Sequence, residues 1–260
     1  METTVQVQQV DTAELEAKVK NMYRDVALNP HGEYHFEMGR KLAEKLGYER
    51  ELLDKIPSSA IESFAGVGYY FDLAGIKPGD NILDLGSGSG MDSFIAAIKT
   101  GDNGKVTGVD MTDEQLHKAG KLAGENGFRN TEFEKGYIQK LPFEDNSFDL
   151  VISNGVINLS FEKENVFKEV YRVLKNGGRM AFADIISEKQ MPDNITCNST
   201  LWASCIGGAA QQDYYFNIIR EAGFKIKSVR ENTAYEFISI SALGASKQYG
   251  VKSISVLAEK

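Results

Sequence analysis

The sequence holds only two cysteines, Cys197 and Cys205, too few for a disulfide framework. No apolar run approaches the ~20 residues that a helix needs to span a bilayer. Residues Met1 to Val10 are polar and lack the apolar stretch of a secretory leader. Positive charge is scarce as well: 29 Lys and Arg stand against 37 Asp and Glu, a formal net charge of -8. An acidic surface repels phosphate backbones and anionic lipid, so neither nucleic acid nor membrane is an expected partner. Internal repeats, low-complexity tracts and linkers long enough to separate independent domains are also missing. A soluble, cytoplasmic protein is predicted, with no sequence signal for an oligomeric state.

What is there is globular: 260 residues, 42% hydrophobic, 25% charged and 10% aromatic, enough for one large domain or one domain with a cap. Residues 1–75 read as a helical cap. A helix is expected over 11–28, with Asp11 or Thr12 as N-cap and an apolar stripe of Leu15, Val19, Met22, Tyr23 and Val26. A second is expected from Tyr34 to Leu46, stopped by Gly47, and a short one near 49–55; Ser59 is the expected cap of a further segment. From residue 76 to 260 the texture is that of one α/β domain, with a helical insertion at about 190–222. Strands are expected at 81–85, 105–109, 131–134, 148–153, 179–185, 224–231 and 252–259. Helices are expected at 90–99, 113–126, 162–175, 198–207 and 211–222; Gly177-Gly178 is the expected stop of the third, and 232–250 is ambiguous. The alternation predicts a doubly wound, mostly parallel sheet.

The segment NILDLGSGSGMD sets Gly86, Gly88 and Gly90 between the first strand and its helix, where a ligand can approach a backbone without Cβ atoms. A nicotinamide fingerprint needs a third glycine where this chain has Met91. Asp84, two residues before the turn, suits a cation better than a pyrophosphate. S-adenosylmethionine, with an ammonium, a sulfonium and no phosphate, fits that chemistry. Asp110 follows Gly86 by 24 residues, about the distance at which an acid meets ribose hydroxyls. Met111 is expected to pack on adenine, and Ile138 and Gln139 to meet its face and edge. Asn154, just past the fourth strand, is the expected polar contact near the methyl donor.

The stretches LDLGSGSG, GVDM, LPFEDNSFDLV and EVYRVLKNGGR resemble the class I S-adenosylmethionine-dependent methyltransferases over about residues 60–185. The resemblance implies a Rossmann-like sheet of seven strands with the last antiparallel. SNGVINLS, VFKEVYRVLKNGGRMAFADI and ASCIGGAAQQDYYFNIIREAGF resemble the arsenite methyltransferase branch, and VKNMYRDVA resembles its N-terminal helix, which implies Tyr23 near the cofactor. That branch holds its soft metalloid with cysteines. Here Gly155 and Val67 stand where two of them are implied, and only Cys205 matches; Cys197 on the same helix would lie roughly 12 Å away at about 1.5 Å per residue.

In-line methyl transfer needs positioning more than a covalent intermediate, so a base is optional. The candidates near the reacting atoms are Tyr23, His31, His35, Asn154 and Cys205. His31 and His35, in HGEYHF, are read as part of a lid facing the pocket, and no metal is expected. Of the aromatics Phe64, Tyr69, Tyr70, Phe71, Trp202, Tyr214 and Tyr215, core packing accounts for most, while some are expected to face a cleft and favour an organic acceptor. The expected activity is methylation of a small molecule by an arsenite methyltransferase-like enzyme missing most of its cysteine site. The alternatives are a natural-product O-, N- or C-methyltransferase and a non-catalytic S-adenosylmethionine-binding regulator.

Overall fold

The computed structural model describes residues 11–198, 201–202 and 205–260. Residues 1–10, on which the reading of a missing leader rests, lie outside them. Eight strands form one sheet: β1 (Asn81–Leu85), β2 (Lys105–Asp110), β3 (Thr131–Lys135), β4 (Phe148–Asn154), β5 (Leu174–Ser187), β6 (Ala210–Gln211), β7 (Lys225–Glu231) and β8 (Lys252–Glu259). Their order is β3-β2-β1-β4-β5-β8-β7, with the two-residue β6 beside the end of β5. β8 runs antiparallel to both β5 and β7, and the other pairs are parallel. The expected seven strands are all present, and β6 is an addition.

The helices up to β1 are α1 (Thr12–Leu28), α2 (Gly39–Leu46), α3 (Arg50–Leu53), α4 (Ser58–Glu62) and α5 (Phe71–Ala74). Further on come α6 (Met91–Thr100), α7 (Asp113–Asn126), α8 (Lys163–Val173), α9 (Asp193–Thr196), α10 (Gln212–Glu221) and α11 (Ile240–Tyr249), the last inside the ambiguous segment. The period-two pattern of the strands splits the core. Leu83, Leu85, Val151 and Phe182 face Val166, Phe167 and Val170 of α8 and Tyr215 and Ile219 of α10. Ile82, Leu150, Ile152 and Ala183 belong to the opposite layer, with Phe94 and Ile95 of α6 and with Leu42, Leu53, Ile61 and Phe71 of the early helices. The early helices therefore share the sheet's own core.

α1 is attached differently. Leu15 and Val19 bury themselves with Trp202 in a small separate cluster, joined by Met22, Tyr23, Met111 and Leu159. Polar ties supplement it: Gln115 Nε2 donates to the Tyr23 carbonyl (2.8 Å) and Lys118 Nζ to that of Ala27 (3.2 Å). Lys20 donates to Glu16 and to Tyr137 Oη, and Tyr137 in turn donates to Glu16.

Four expectations are corrected. The helix predicted from Tyr34 begins at Gly39, because Gly39 has φ 77 and its N–H is drawn to the Phe64 carbonyl (2.8 Å). α4 starts at Ser58 behind Pro57, so Ser59 is no cap. α8 ends at Val173 and passes without a loop into β5; Gly177 (φ 75) and Gly178 instead lie where β5 shifts register against β4. The helix expected over 198–207 falls partly outside the described residues; Trp202 is helical, but Cys205 sits in a turn with φ 61.

Candidate functional site

The chain crosses from β1 through α6, β2 and α7 to β3, then returns to set β4 on the other side of β1. That reversal opens a crevice beyond the carboxyl ends of the strands, where open α/β sheets bind ligands. A cleft of about 150 Å³ lies there, roofed by Leu15, Val19 and Tyr23 of α1. The turn after β1 is fastened to β2 by the N–H groups of Gly86 and Ser87, both donating to the Val109 carbonyl (2.7 and 3.1 Å). Gly86 has φ 65, and a Cβ there would lie 2.5 Å from Val156 Cγ2. Conformation and space both demand glycine.

Four carboxylates line the cleft, Glu16, Asp84, Asp92 and Asp110, and no lysine or arginine does among the described residues. Asp84 accepts from Ser93 Oγ (2.6 Å). Asp110 accepts the N–H groups of Gly88 (3.0 Å) and Thr112 (2.8 Å), one on each oxygen, so each oxygen keeps acceptor capacity. Asp92 accepts from Tyr48 Oη (2.8 Å), Tyr70 Oη (2.7 Å) and Asn154 Nδ2 (3.2 Å). Burial pushes all three aspartates up from the usual carboxylate range, Asp84 furthest because Asp92 adds repulsion. A cation in this cleft relieves that repulsion, and a pyrophosphate would worsen it. Ser87 Oγ, also on the cleft, is buried without a hydrogen-bond partner, which is polar capacity suited to a ligand group. A phosphate-free, positively charged nucleoside fits these residues.

Of the ten expected cofactor residues, Tyr23, Asp84, Gly86, Gly88, Asp110, Met111, Ile138, Gln139 and Asn154 all line this cleft. Gly90 does not; it is the left-handed N-cap of α6, packed so that a Cβ would meet Phe133 and Phe94 at 3.0 Å. Asn154 is more committed to the protein than its position suggested. Its Oδ1 accepts the N–H groups of Val67 (2.8 Å) and Gly68 (3.3 Å), and its Nδ2 also donates to Tyr48 Oη (3.0 Å) and the Gly68 carbonyl (3.1 Å).

A second, smaller chamber of about 10 Å³ adjoins the cleft, with Tyr23 and Ala65 lining both. His35, Val67, Cys205 and Tyr235 also line it. Burial pushes the Cys205 thiol up to about 12 and the Tyr23 phenol well above its ordinary value. A Cβ at Gly155 would lie 3.1 Å from Val67 Cγ1, so the two positions are neighbours in space. Cys197 is set apart on the C-cap of α9. His31 lies on an exposed turn and lines neither chamber. Of the seven aromatics singled out in the sequence, only Phe64 reaches the cleft, whose other aromatic walls are Tyr23, Tyr137 and Phe161; Tyr70 and Tyr215 are fully buried, donating to Asp92 and Asp184, and Tyr214 faces solvent beside Glu164.

The sequence reading passed over Asp92, Gln115, Glu16 and Tyr137. Asp92, two residues after the last glycine of the turn, carried a visible signal, an acid in the first turn of a helix that opens on the cleft. Gln115 carried none: it accepts from Ser89 Oγ (2.6 Å) while holding α1, contacts that only the fold assembles.

The reversed parallel sheet, the glycine turn and the acid-lined cleft define a nucleoside-binding α/β domain. The chain belongs to the methyltransferase domain family, whose model matches residues 76–223. It is 38% identical over 198 residues to an arsenite methyltransferase of Halobacterium salinarum, covering 76% of this chain and 50% of that protein. It is 40% identical over 152 residues to the human arsenite methyltransferase, 55% of this chain and 40% of that one. The chain thus spans about half the length of these curated relatives or less. A crystal structure of an arsenic(III) S-adenosylmethionine methyltransferase from Chlamydomonas reinhardtii superposes with a TM-score of 0.69 at 33% identity, covering 81% of this chain and 72% of that one. A geranyl diphosphate methyltransferase has the same fold, with a TM-score of 0.69 at 18% identity over 95% of this chain and 99% of that one. No helix among the described residues is long and apolar enough to cross a membrane.

Proposed function

We propose that this chain transfers the methyl group of S-adenosylmethionine to a small-molecule acceptor, on the plan of the arsenite methyltransferases. The observation that carries this reading is the cleft of about 150 Å³ with four carboxylates and no lysine or arginine on its walls among the described residues. The glycine turn lets the nucleoside lie against backbone, Asp110 takes the ribose hydroxyls, and Met111 and Ile138 sandwich the adenine with Gln139 at its edge. Asp84 compensates the cationic end. Bound there, the donor supplies an electrophilic methyl group; Tyr23 and α1 exclude water from it and orient it toward the neighbouring chamber. The helices of residues 1–75 act as a cap on the domain of 76–260, and the protein works in the cytoplasm.

Val67 and Gly155 occupy the places of two metalloid-binding cysteines, so Cys205 alone offers sulfur and arsenite is a poor acceptor. Calorimetry with S-adenosylmethionine and S-adenosylhomocysteine on the full chain tests the donor site, and saturable binding of both is expected. Mass-spectrometric detection of S-adenosylhomocysteine with a mixed pool of small nucleophiles tests turnover. Binding without turnover makes the chain a regulator; no binding overturns the donor site itself.

A further inference from the structure

The second chamber defines the kind of acceptor. Among the described residues the one carboxylate lining it is that of Glu236, held by Lys45 Nζ at 2.8 Å, a lysine that also holds Glu37. No lysine or arginine lines the chamber among the described residues, so a carboxylate or phosphate acceptor would be buried without a counter-charge. Its walls are otherwise apolar side chains, among them Ala65, Val67 and Ile238, with two tyrosines, Cys205 and His35. Its volume of about 10 Å³ is on the order of one water molecule. Only the reacting atom of an acceptor enters a space of that size. The rest has an apolar rim to lie on, because Ile238, Ile240 and Leu243 are 47%, 91% and 45% exposed on the segment that walls the chamber.

A hydroxyl or amine pressed into such walls forfeits strong hydrogen bonds to water, whereas a thiol loses little. The proton has one place to go. The ionisable groups facing the chamber are Tyr23 from α1, His35 from the turn before α2, Cys205 from the segment after α9, and Tyr235 and Glu236 from the segment after β7. Burial keeps both tyrosines and Cys205 protonated at neutral pH, and Lys45 holds Glu236 below its ordinary value, a weak base. His35 remains, and a neutral imidazole carries one nitrogen that accepts a proton.

We propose that this chamber is the acceptor subsite for a neutral thiol with an apolar tail, and that His35 takes its proton; the proposal rests on the donor reading above. The acceptor's sulfur lone pair forms a bond to the methyl carbon. The carbon–sulfonium bond breaks, its electron pair staying on the donor as a neutral thioether. The thiol proton passes to the His35 imidazole and then to water. Tyr23 and Ala65, shared by both chambers, mark the neck at which the methyl group crosses.

The test uses the full chain with 1-hexanethiol, hexanol, hexylamine, 2-mercaptoethanesulfonate and arsenite, following methylated product and S-adenosylhomocysteine by mass spectrometry. Hexanethiol is expected to be methylated at least about tenfold faster than the others. His35→Gln is expected to lower kcat for it at least about tenfold near pH 7, with the gap to wild type narrowing as pH rises toward the alkanethiol's own pKa, roughly two units above the ~8.5 of a cysteine. Ile240→Glu, on an exposed rim, is expected to raise KM for hexanethiol and leave donor affinity alone. Normal donor binding with no thiol turnover overturns the acceptor assignment, as does faster turnover of arsenite or a His35→Gln profile matching wild type. Loss of donor binding in the unaltered chain overturns the donor reading instead.

Discussion

Asn154 ties three regions of the molecule together, so its removal has a calculable cost. In Asn154→Ala the N–H groups of Val67 and Gly68 lose the side-chain oxygen that accepts both, and Asp92 loses one of its three side-chain donors. A buried donor left unsatisfied costs about 1–3 kcal/mol, so two of them sharing one acceptor cost about 3 kcal/mol together. At roughly 2–4 °C per kcal/mol for a chain of this size, the melting temperature falls by about 6–12 °C. Asn154→Asp separates the contributions. Its carboxylate still accepts from the two N–H groups, but it sets an acid where Nδ2 now donates to Asp92 at 3.2 Å. The pair then holds a proton more tightly in the folded state than in the unfolded chain, where an aspartate titrates near 3.9. Stability present below about pH 4 is therefore lost as pH rises through the raised folded value, and the deficit of Asn154→Asp relative to wild type widens from about pH 5 to 8. Thermal melts of both variants across that range give the answer. An Asn154→Ala melting point within about 2 °C of wild type, or an Asn154→Asp deficit that shrinks with rising pH, would refute the reasoning.

Asp110→Ala is expected to weaken S-adenosylmethionine binding by about 1–3 kcal/mol in calorimetry, because both ribose acceptors go together. Gly86→Ala adds a Cβ at 2.5 Å from Val156 in a left-handed conformation; it should lower the melting temperature, and adding Val156→Ala should return only the share due to crowding. Burial raises the Asp184 carboxyl above its ordinary 3.8 because it disfavours the charge. Its folded value is raised, so the stability it contributes is present below about pH 4 and lost as pH climbs through that raised value. Asp184→Asn, which has nothing to titrate, should flatten that stretch of a melting-temperature profile.

The sheet was legible because its central strands are short apolar runs and several of its helices end in glycines. Asp84, Asp110, Gly86 and Gly88 of the cleft were legible for a similar reason: their spacing follows from strand and turn lengths, which are local. Asp92 was visible as a letter but not as a hub, since Tyr70, Tyr48 and Asn154 reach it from 22, 44 and 62 residues away. The helix start at Gly39 escaped for the same cause, its N–H being taken by Phe64 from beyond two further helices. At the end of α8 the glycine pair pointed to a stop, yet tertiary pairing with β4 overrode it and made those glycines an irregularity of a strand. The histidines of HGEYHF looked alike in sequence; in the fold His35 meets Phe36 edge-on and lines the smaller chamber, while His31 lies on the surface.

The separate anchoring of α1 bears on how the cleft exchanges its contents. An element whose apolar residues sit in their own small cluster can detach while the two large cores stay intact, at a fraction of the free energy of global unfolding. The ceiling over the nucleoside can therefore lift without unpacking either large core. Amide protons of α1 should swap with solvent sooner than those of β1 and β4, and spent donor should leave at the tempo of that lifting.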